Sequence, residues 1–231
     1  MPRELLVKIC SRGLLAAAAV CAPSLAHARD DAQGWATASA AVNLGGNWRF
    51  SQEVTARVSD NQGRLYELEM NSLLGYRLSR TVTIWAGYTH DPNYARDRTM
   101  MEHRARQQVS FDNFARLGHA MLSARFRSEA RWREGMDGTG WRVRPYVKLT
   151  LPLGTQTRTA LVLSHESFIN LNTTGFQATA GYDRMRNLIA ISTPITKNAA
   201  LEIGYLNQHA FVRNGEDTSD HVGSVSLNFS L

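Results

Sequence analysis

The stretch LSARFRSEARWR, residues 122 to 133, alternates so regularly that it admits one kind of backbone. Taken in steps of two, Arg125, Arg127, Glu129, Arg131 and Arg133 fall on one side. Leu122, Ala124, Phe126, Ser128, Ala130 and Trp132 fall on the other. Successive side chains take opposite faces only in an extended strand, and a helix would spread these arginines around its whole circumference. The stretch is therefore a ribbon with a charged face and a mostly apolar one. In a soluble sheet the apolar face packs on a core and the charges meet water. In an outer-membrane barrel the apolar face meets lipid and the charges fill the lumen.

The front of the chain favours export. Arg3, Lys8 and Arg12 make a basic start, residues 13 to 20 are apolar, and Ala26-His27-Ala28 is a small-x-small cleavage site. This is the layout of a cleaved secretory signal peptide over residues 1–28. The apolar run is too short for a transmembrane anchor. Val20 precedes Cys21 where a lipoprotein signal carries a small residue, which argues against lipidation. Both cysteines, Cys10 and Cys21, lie in this segment, so the exported domain, residues 29–231, is held without disulfides.

Without residues 1–28 the 26 Lys+Arg and 20 Asp+Glu lose three and one, leaving 23 against 19, a net charge of +4. Basic and acidic residues are interspersed, whereas nucleic-acid binding wants basic residues clustered on one face, so no nucleic-acid partner is expected. The remaining length suits one domain. No later apolar run approaches a spanning helix, so any membrane insertion is by strands.

Ten strands are expected, at residues 48–58, 65–78, 82–90, 100–111, 117–132, 141–151, 159–168, 182–193, 199–212 and 221–231. Residues 35–44 make a possible further strand turned back at Gly45-Gly46. That strand would put the amino terminus on the wrong side of a ten-strand barrel. The segment is therefore expected to enter the lumen, or to pair with a twelfth strand near residues 176–180. Long polar spacers such as REGMDGTG and INLNTTGFQATAG tend to alternate with shorter ones such as LSRT and PITKNA. Long loops on one rim and short turns on the other is the outer-membrane pattern.

Two more strands repeat the division of faces. Trp48, Phe50, Val54, Ala56 and Val58 oppose Arg49, Ser51, Glu53, Thr55 and Arg57. Trp141, Val143, Pro145, Val147 and Leu149 oppose Arg142, Arg144, Tyr146, Lys148 and Thr150. Trp48, Tyr66, Tyr76, Trp132, Trp141, Phe168 and Tyr205 lie near strand ends, as an interfacial aromatic belt requires. The last strand alternates Val225, Leu227, Phe229 and Leu231 with Ser224, Ser226, Asn228 and Ser230. A soluble periplasmic sheet would spread all these charges over one outer surface. A closed, antiparallel transmembrane barrel of about 10–12 strands encloses them.

Inside such a barrel, charges persist only when paired and hydrogen-bonded. The expected pairings are Glu53 with Arg57, Glu67 and Glu69 with Arg77, Glu102 with Arg104 and Arg106, and Glu129 between Arg127 and Arg131. A rigid lumen plugged by its own charges is one reading. The other is an arginine track for a small anionic or sugar-like solute, built on Arg125, Arg127, Arg131, Arg142, Arg144, Arg184 and Arg186, with Arg104, Arg106, Glu129, Glu166 and Glu202 beside it. Guanidinium forks suit carboxylate and phosphate.

Catalysis has weaker support. Ser164 and Glu166 share one face of a strand and His165 the other, so these three make no triad. His90 and Asp91 begin a loop and His209 ends a strand, leaving a lipid-facing Ser–His pair as the basis of a lipid-modifying alternative. The loop acids Asp137, Glu216, Asp217 and Asp220 lack calcium-loop spacing. No Gly-rich phosphate loop, zinc spacing or haem motif occurs in the sequence, so no metal or cofactor is expected.

Four segments carry a family resemblance: residues 102–108 (EHRARQQ), 125–131 (RFRSEAR), 164–170 (SHESFIN) and 201–208 (LEIGYLNQ). Their order resembles the bacterial family called domain of unknown function 2490, over most of residues 35–231. The segment around Asp183-Arg184-Met185-Arg186 matches that family less well. The resemblance implies an outer-membrane β-barrel of unassigned activity and transfers no catalytic residue. The expected partners are outer-membrane lipid and lipopolysaccharide, the β-barrel assembly machinery and small anionic solutes.

Overall fold

The computed structural model describes residues 30–95, 98–154, 157–177, 179–213 and 215–231. The signal-peptide reading of residues 1–28 lies outside the described residues. Eleven strands follow in order: β1 (Asp31–Gly45), β2 (Trp48–Ser59), β3 (Arg64–Arg77), β4 (Val82–Tyr94), β5 (Thr99–Leu117), β6 (Ala120–Arg133), β7 (Gly140–Pro152), β8 (Ala160–Asn170), β9 (Gly181–Pro194), β10 (Ala199–Ala210) and β11 (Thr218–Ser230). Each pairs with its sequence neighbour, and β1 also pairs with β11, closing a barrel. Among the described residues no helix is long and apolar enough to cross a membrane.

Residues 35–44 do not enter the lumen. They belong to β1, antiparallel to β2 and parallel to β11, with Trp35 opposite both Arg57 and Ser224. An odd strand number forces one parallel seam, since ten antiparallel steps leave the first and last strands pointing the same way. The Asp31 end of β1 consequently lies on the rim of the longer connections (60–63, 95–98, 134–139, 171–180, 211–217). Leu231 lies on the other rim, whose connections are shorter apart from 153–159 (46–47, 78–81, 118–119, 153–159, 195–198). Bacterial single-chain barrels usually have an even count, whereas this one has eleven strands. The expected twelfth strand near residues 176–180 is not among the strands of the described residues. Phe176 and Gln177 lie in the β8–β9 connection, folded over the barrel mouth.

Two more expectations are corrected. Residues 112–116 are not a turn, because β5 runs on to Leu117 through an irregularity between Phe111 and Ala115. His90 and Asp91 do not begin a loop, because β4 continues to Tyr94 and pairs Asp91 with Glu102.

Alternation delivers one apolar and one polar face. Trp48, Leu74, Ile84, Phe126, Trp141, Ile189, Ile203 and Val225 are all exposed on the outside. The lumen holds most of the buried polar groups, with a small apolar cluster of Trp35, Leu206 and Val222. Bends are set where a side chain is missing. A Cβ on Gly87 would lie 2.1 Å from the Ser72 carbonyl oxygen, and one on Gly204 would lie 2.4 Å from the Ala190 Cβ. Glycine at such positions lets neighbouring strands close up at a barrel corner.

Candidate functional site

The inward charges form a continuous lattice. Glu102, 1% exposed, accepts from Arg104 Nε at 2.7 Å, Arg131 Nε at 2.9 Å and Arg133 Nη2 at 2.6 Å. Glu129 accepts from Arg142 Nε and Nη2 at 2.9 and 2.5 Å and from Arg144 Nη1 at 3.0 Å, with Arg127 at 3.8 Å. Glu166 takes Arg125 at 2.5 Å and Arg144 at 2.9 Å. Arg57 donates to Glu67 and, at 2.9 Å, to Glu69, and Arg104 also reaches Asp91 and Glu69. Register explains the partners: Arg57 stands opposite Glu67, Glu102 opposite Arg133, and Glu129 opposite Arg142. Such pairs hold only because almost every carboxylate oxygen is met by a fork of N–H donors.

The expected pairs are partly revised. Arg77 lies at the short-turn rim and reaches Asn43 at 3.4 Å, not Glu67 or Glu69. Glu53 accepts from Asn71 at 2.9 Å, and Arg106 donates to Asn71 and, at 3.2 Å, to Thr89. Arg127 donates to Gln108 at 3.1 Å, and Arg186 to Gln208 at 2.8 Å. Arg184 bonds its neighbour Asp183 at 2.7 Å. Glu202 lines the lumen with Lys148.

Two aromatics that the sequence assigns to a belt turn inward instead. Tyr66 donates to Gln33 at 2.7 Å, and Phe168 is 2% exposed. Tyr66 sits in the irregularity where Arg57 pairs Glu67 and Val58 pairs Leu65, and a bulge re-aims its side chain. Phe168 shares its parity with Glu166, which is the signal that places it inside. With Trp35 it builds a stack across the barrel. Arg57 lies 4.4 Å and Arg186 4.5 Å from the Trp35 ring, while Arg186 lies 4.7 Å and Arg144 4.2 Å from the Phe168 ring. These are cation–π distances.

The stack separates two cavities. One, of about 290 Å³, opens toward the long-loop rim beside Glu102, Arg131, Arg142 and Arg184. The other, of about 520 Å³, lies toward the short-turn rim beside Arg125, Arg127, Lys148, Glu166 and Glu202. Of the twelve residues expected to form the site, ten line one cavity or the other, while Arg106 and Glu129 line neither. The smaller mouth is partly roofed by the β8–β9 connection, whose Gln177 accepts from Arg131 at 3.0 Å. Phe176 covers Arg131 and Arg133 at 5.7 and 5.4 Å.

Among the described residues, Glu67, Glu69 and Asp91 are grouped closely enough to hold a cation. Arg57 and Arg104 already donate into that group, so its negative charge is met by protein. Among the described residues the loop acids are not gathered into one site. Asp217 accepts from the Val212 N–H at 2.9 Å, and Asp220 accepts from Gln208 at 2.6 Å inside the barrel.

Fold and site together define a closed β-barrel with an arginine-rich, ion-paired lumen. Residues 32–219 match the family described as "Protein of unknown function (DUF2490)", and the chain belongs to that family. It is also similar to an uncharacterized protein of Methylorubrum extorquens, 27% identical over 184 residues, covering 79% of this chain and 80% of the relative. No solved structure matches it.

Proposed function

We propose that the chain is an outer-membrane β-barrel whose lumen binds a small anionic or sugar-like solute and passes it narrowly. The carrying observation is the state of Arg127 and Arg186 in the wall of the 520 Å³ cavity. Their Nε groups donate to the neutral amide oxygens of Gln108 and Gln208, so each keeps charge and donors for an anion. Trp35 is buried and carries both Arg57 and Arg186 over its ring, which holds the Arg186 guanidinium in the cavity wall. The outer-membrane placement rests on the exposed apolar outer face, far more extended than the scattered apolar residues of a soluble surface. In that setting the outer wall meets lipid and lipopolysaccharide, and the β-barrel assembly machinery inserts the chain.

The test is titration of the folded barrel with galacturonate, galactose and inorganic phosphate, read by Trp fluorescence. Galacturonate should bind about tenfold more tightly than galactose, the worth of one charge-assisted hydrogen bond. Arg186→Gln should remove that preference. In planar bilayers the stack should hold the current to a small, anion-preferring conductance. If none of the three probes binds and no current appears, the lumen is structural, a reading that the closed ion pairs of Glu102 and Glu129 favour.

A further inference from the structure

The outer wall of β8 and β9 breaks its apolar rule at one level. On β8, Leu161 and Leu163 give way to His165 and Ser167 before Ile169 resumes. On β9, Ile191 and Ile189 give way to Asn187. These polar residues are not above the apolar band. Val147 of β7 stands opposite His165 and Val143 opposite Ile169, and β7 stays apolar on this face out to Trp141. Tyr182 and Phe211, in edge contact at 5.1 Å, bound the group toward the long-loop rim.

The group is ordered as a relay. His165 and Asn187 are directly opposite across the β8–β9 pair. His165 Nδ1 lies 2.7 Å from Asn187 Oδ1, and His165 Nε2 lies 2.9 Å from Ser167 Oγ. A proton on Nδ1, donated to the amide oxygen, leaves the Nε2 lone pair facing the serine hydroxyl. The Tyr182 hydroxyl lies 2.6 Å from Ser167 Oγ. The register shift that leaves Asp183 unpaired between Arg184 and Tyr182 turns the tyrosine to that position. Of the other outward polar contacts, Gln52 with Ser72 and Gln107 with Ser128 contain no base, while His103 and His221 meet the hydroxyls of Tyr88 and Tyr205 rather than a serine.

We propose that Ser167, His165 and Asn187 form an esterase triad on the outer wall of the barrel, acting on acyl esters of membrane lipids. The chemistry stands apart from the lumen, and its substrate rests on the membrane placement proposed above. Ser167 Oγ attacks the ester carbonyl carbon while its proton passes to His165 Nε2. The Tyr182 hydroxyl donates to the oxyanion that forms. Collapse breaks the acyl carbon–oxygen bond, and the leaving alcohol takes the proton from His165. Water then attacks the acyl-serine, giving its proton to His165. A fatty acid leaves and the serine recovers its proton. Asn187 is a positioning residue that holds the imidazole tautomer. Exposed Leu163 and Ile189 flank the group as an apolar track for an acyl chain. Aromatic residues mark the interfacial level of such barrels, the depth at which lipid esters lie.

The test uses the full chain folded in liposomes of phosphatidylethanolamine and phosphatidylglycerol, with and without added lipid A. Released fatty acid is measured, and labelling by a fluorophosphonate probe is mapped by mass spectrometry. Hydrolysis and labelling at Ser167 are expected, with Ser167→Ala losing roughly a thousandfold or more. The arm that releases acid identifies phospholipid or lipid A as the ester source. Asn187→Ala should lower kcat with KM unchanged, and Asn187→Asp should restore most of it. A second serine–histidine contact, Ser219 with His209 at 3.0 Å, lies at the rim beside Asp217, and Ser219→Ala should leave hydrolysis intact. Heat-modifiable gel mobility confirms that each variant is folded. Insertion with neither acid release nor labelling overturns the proposal, as does loss in Ser219→Ala with none in Ser167→Ala. If the barrel fails to insert yet hydrolyses p-nitrophenyl butyrate through a labelled Ser167, the membrane placement falls and the triad stands.

Discussion

Glu102 gathers Arg104, Arg131 and Arg133 at 2.6–2.9 Å, so one carboxylate holds three strand positions on β5 and β6. Removing its charge leaves three guanidinium groups short of a partner. Breaking a buried pair from one side costs about 3–5 kcal/mol, and Glu102→Gln should lower unfolding stability by that order in urea titrations of the folded barrel. Glu202 lines the open part of the larger cavity beside Lys148, and Glu202→Gln should cost less than about 1 kcal/mol in the same assay. Equal losses would mean that the lattice is not what holds the wall. Parity in the sequence is enough to turn Arg104, Arg127, Arg131, Arg142 and Arg144 inward. It does not choose partners. Arg57 meets Glu67 across the β2–β3 pair rather than Glu53 on its own strand because a cross-strand neighbour lies nearer than one four residues along.

At the scale of strands, the seam between β1 and β11 is the joint most open to test. Its parallel register sets Ala36 opposite Val225, both on the outer face. With Ala36→Cys and Val225→Cys in one chain, a short thiol crosslinker should join the first strand to the last. The pair Ala36→Cys and Phe229→Cys, four residues out of step, should remain unlinked. The opposite result would mean another register. The ten strands β2 to β11 are legible because each carries several alternations flanked by turn residues. β1 is harder to place, because Ala36, Ala38 and Ala40 give its outer face little apolar contrast and its pairing depends on the most distant strand. The register shifts at Tyr66 and near Asp183 leave no period in the sequence, since each inserts one residue and reverses the parity beyond it.

For the whole molecule, closure with an odd strand count fixes which ends share a rim. Asp31 sits with the connections 134–139 and 211–217, while Leu231 sits with the turns 118–119 and 195–198. If the long-loop rim faces outward, as loop length in outer-membrane barrels requires, Asp31 is also external and the chain descends first. Single cysteines at Asp137 and Lys197, one in a long connection and one in a short turn, separate the possibilities. In intact cells a membrane-impermeant maleimide should label Asp137→Cys and spare Lys197→Cys, which should react only after the outer membrane is permeabilised. A third cysteine at Asp30, just before β1, should behave like the first. Labelling of Lys197→Cys alone would invert the barrel. Labelling of none until permeabilisation would move it off the outer membrane, and with it the claim that lipid meets the wall carrying Ser167.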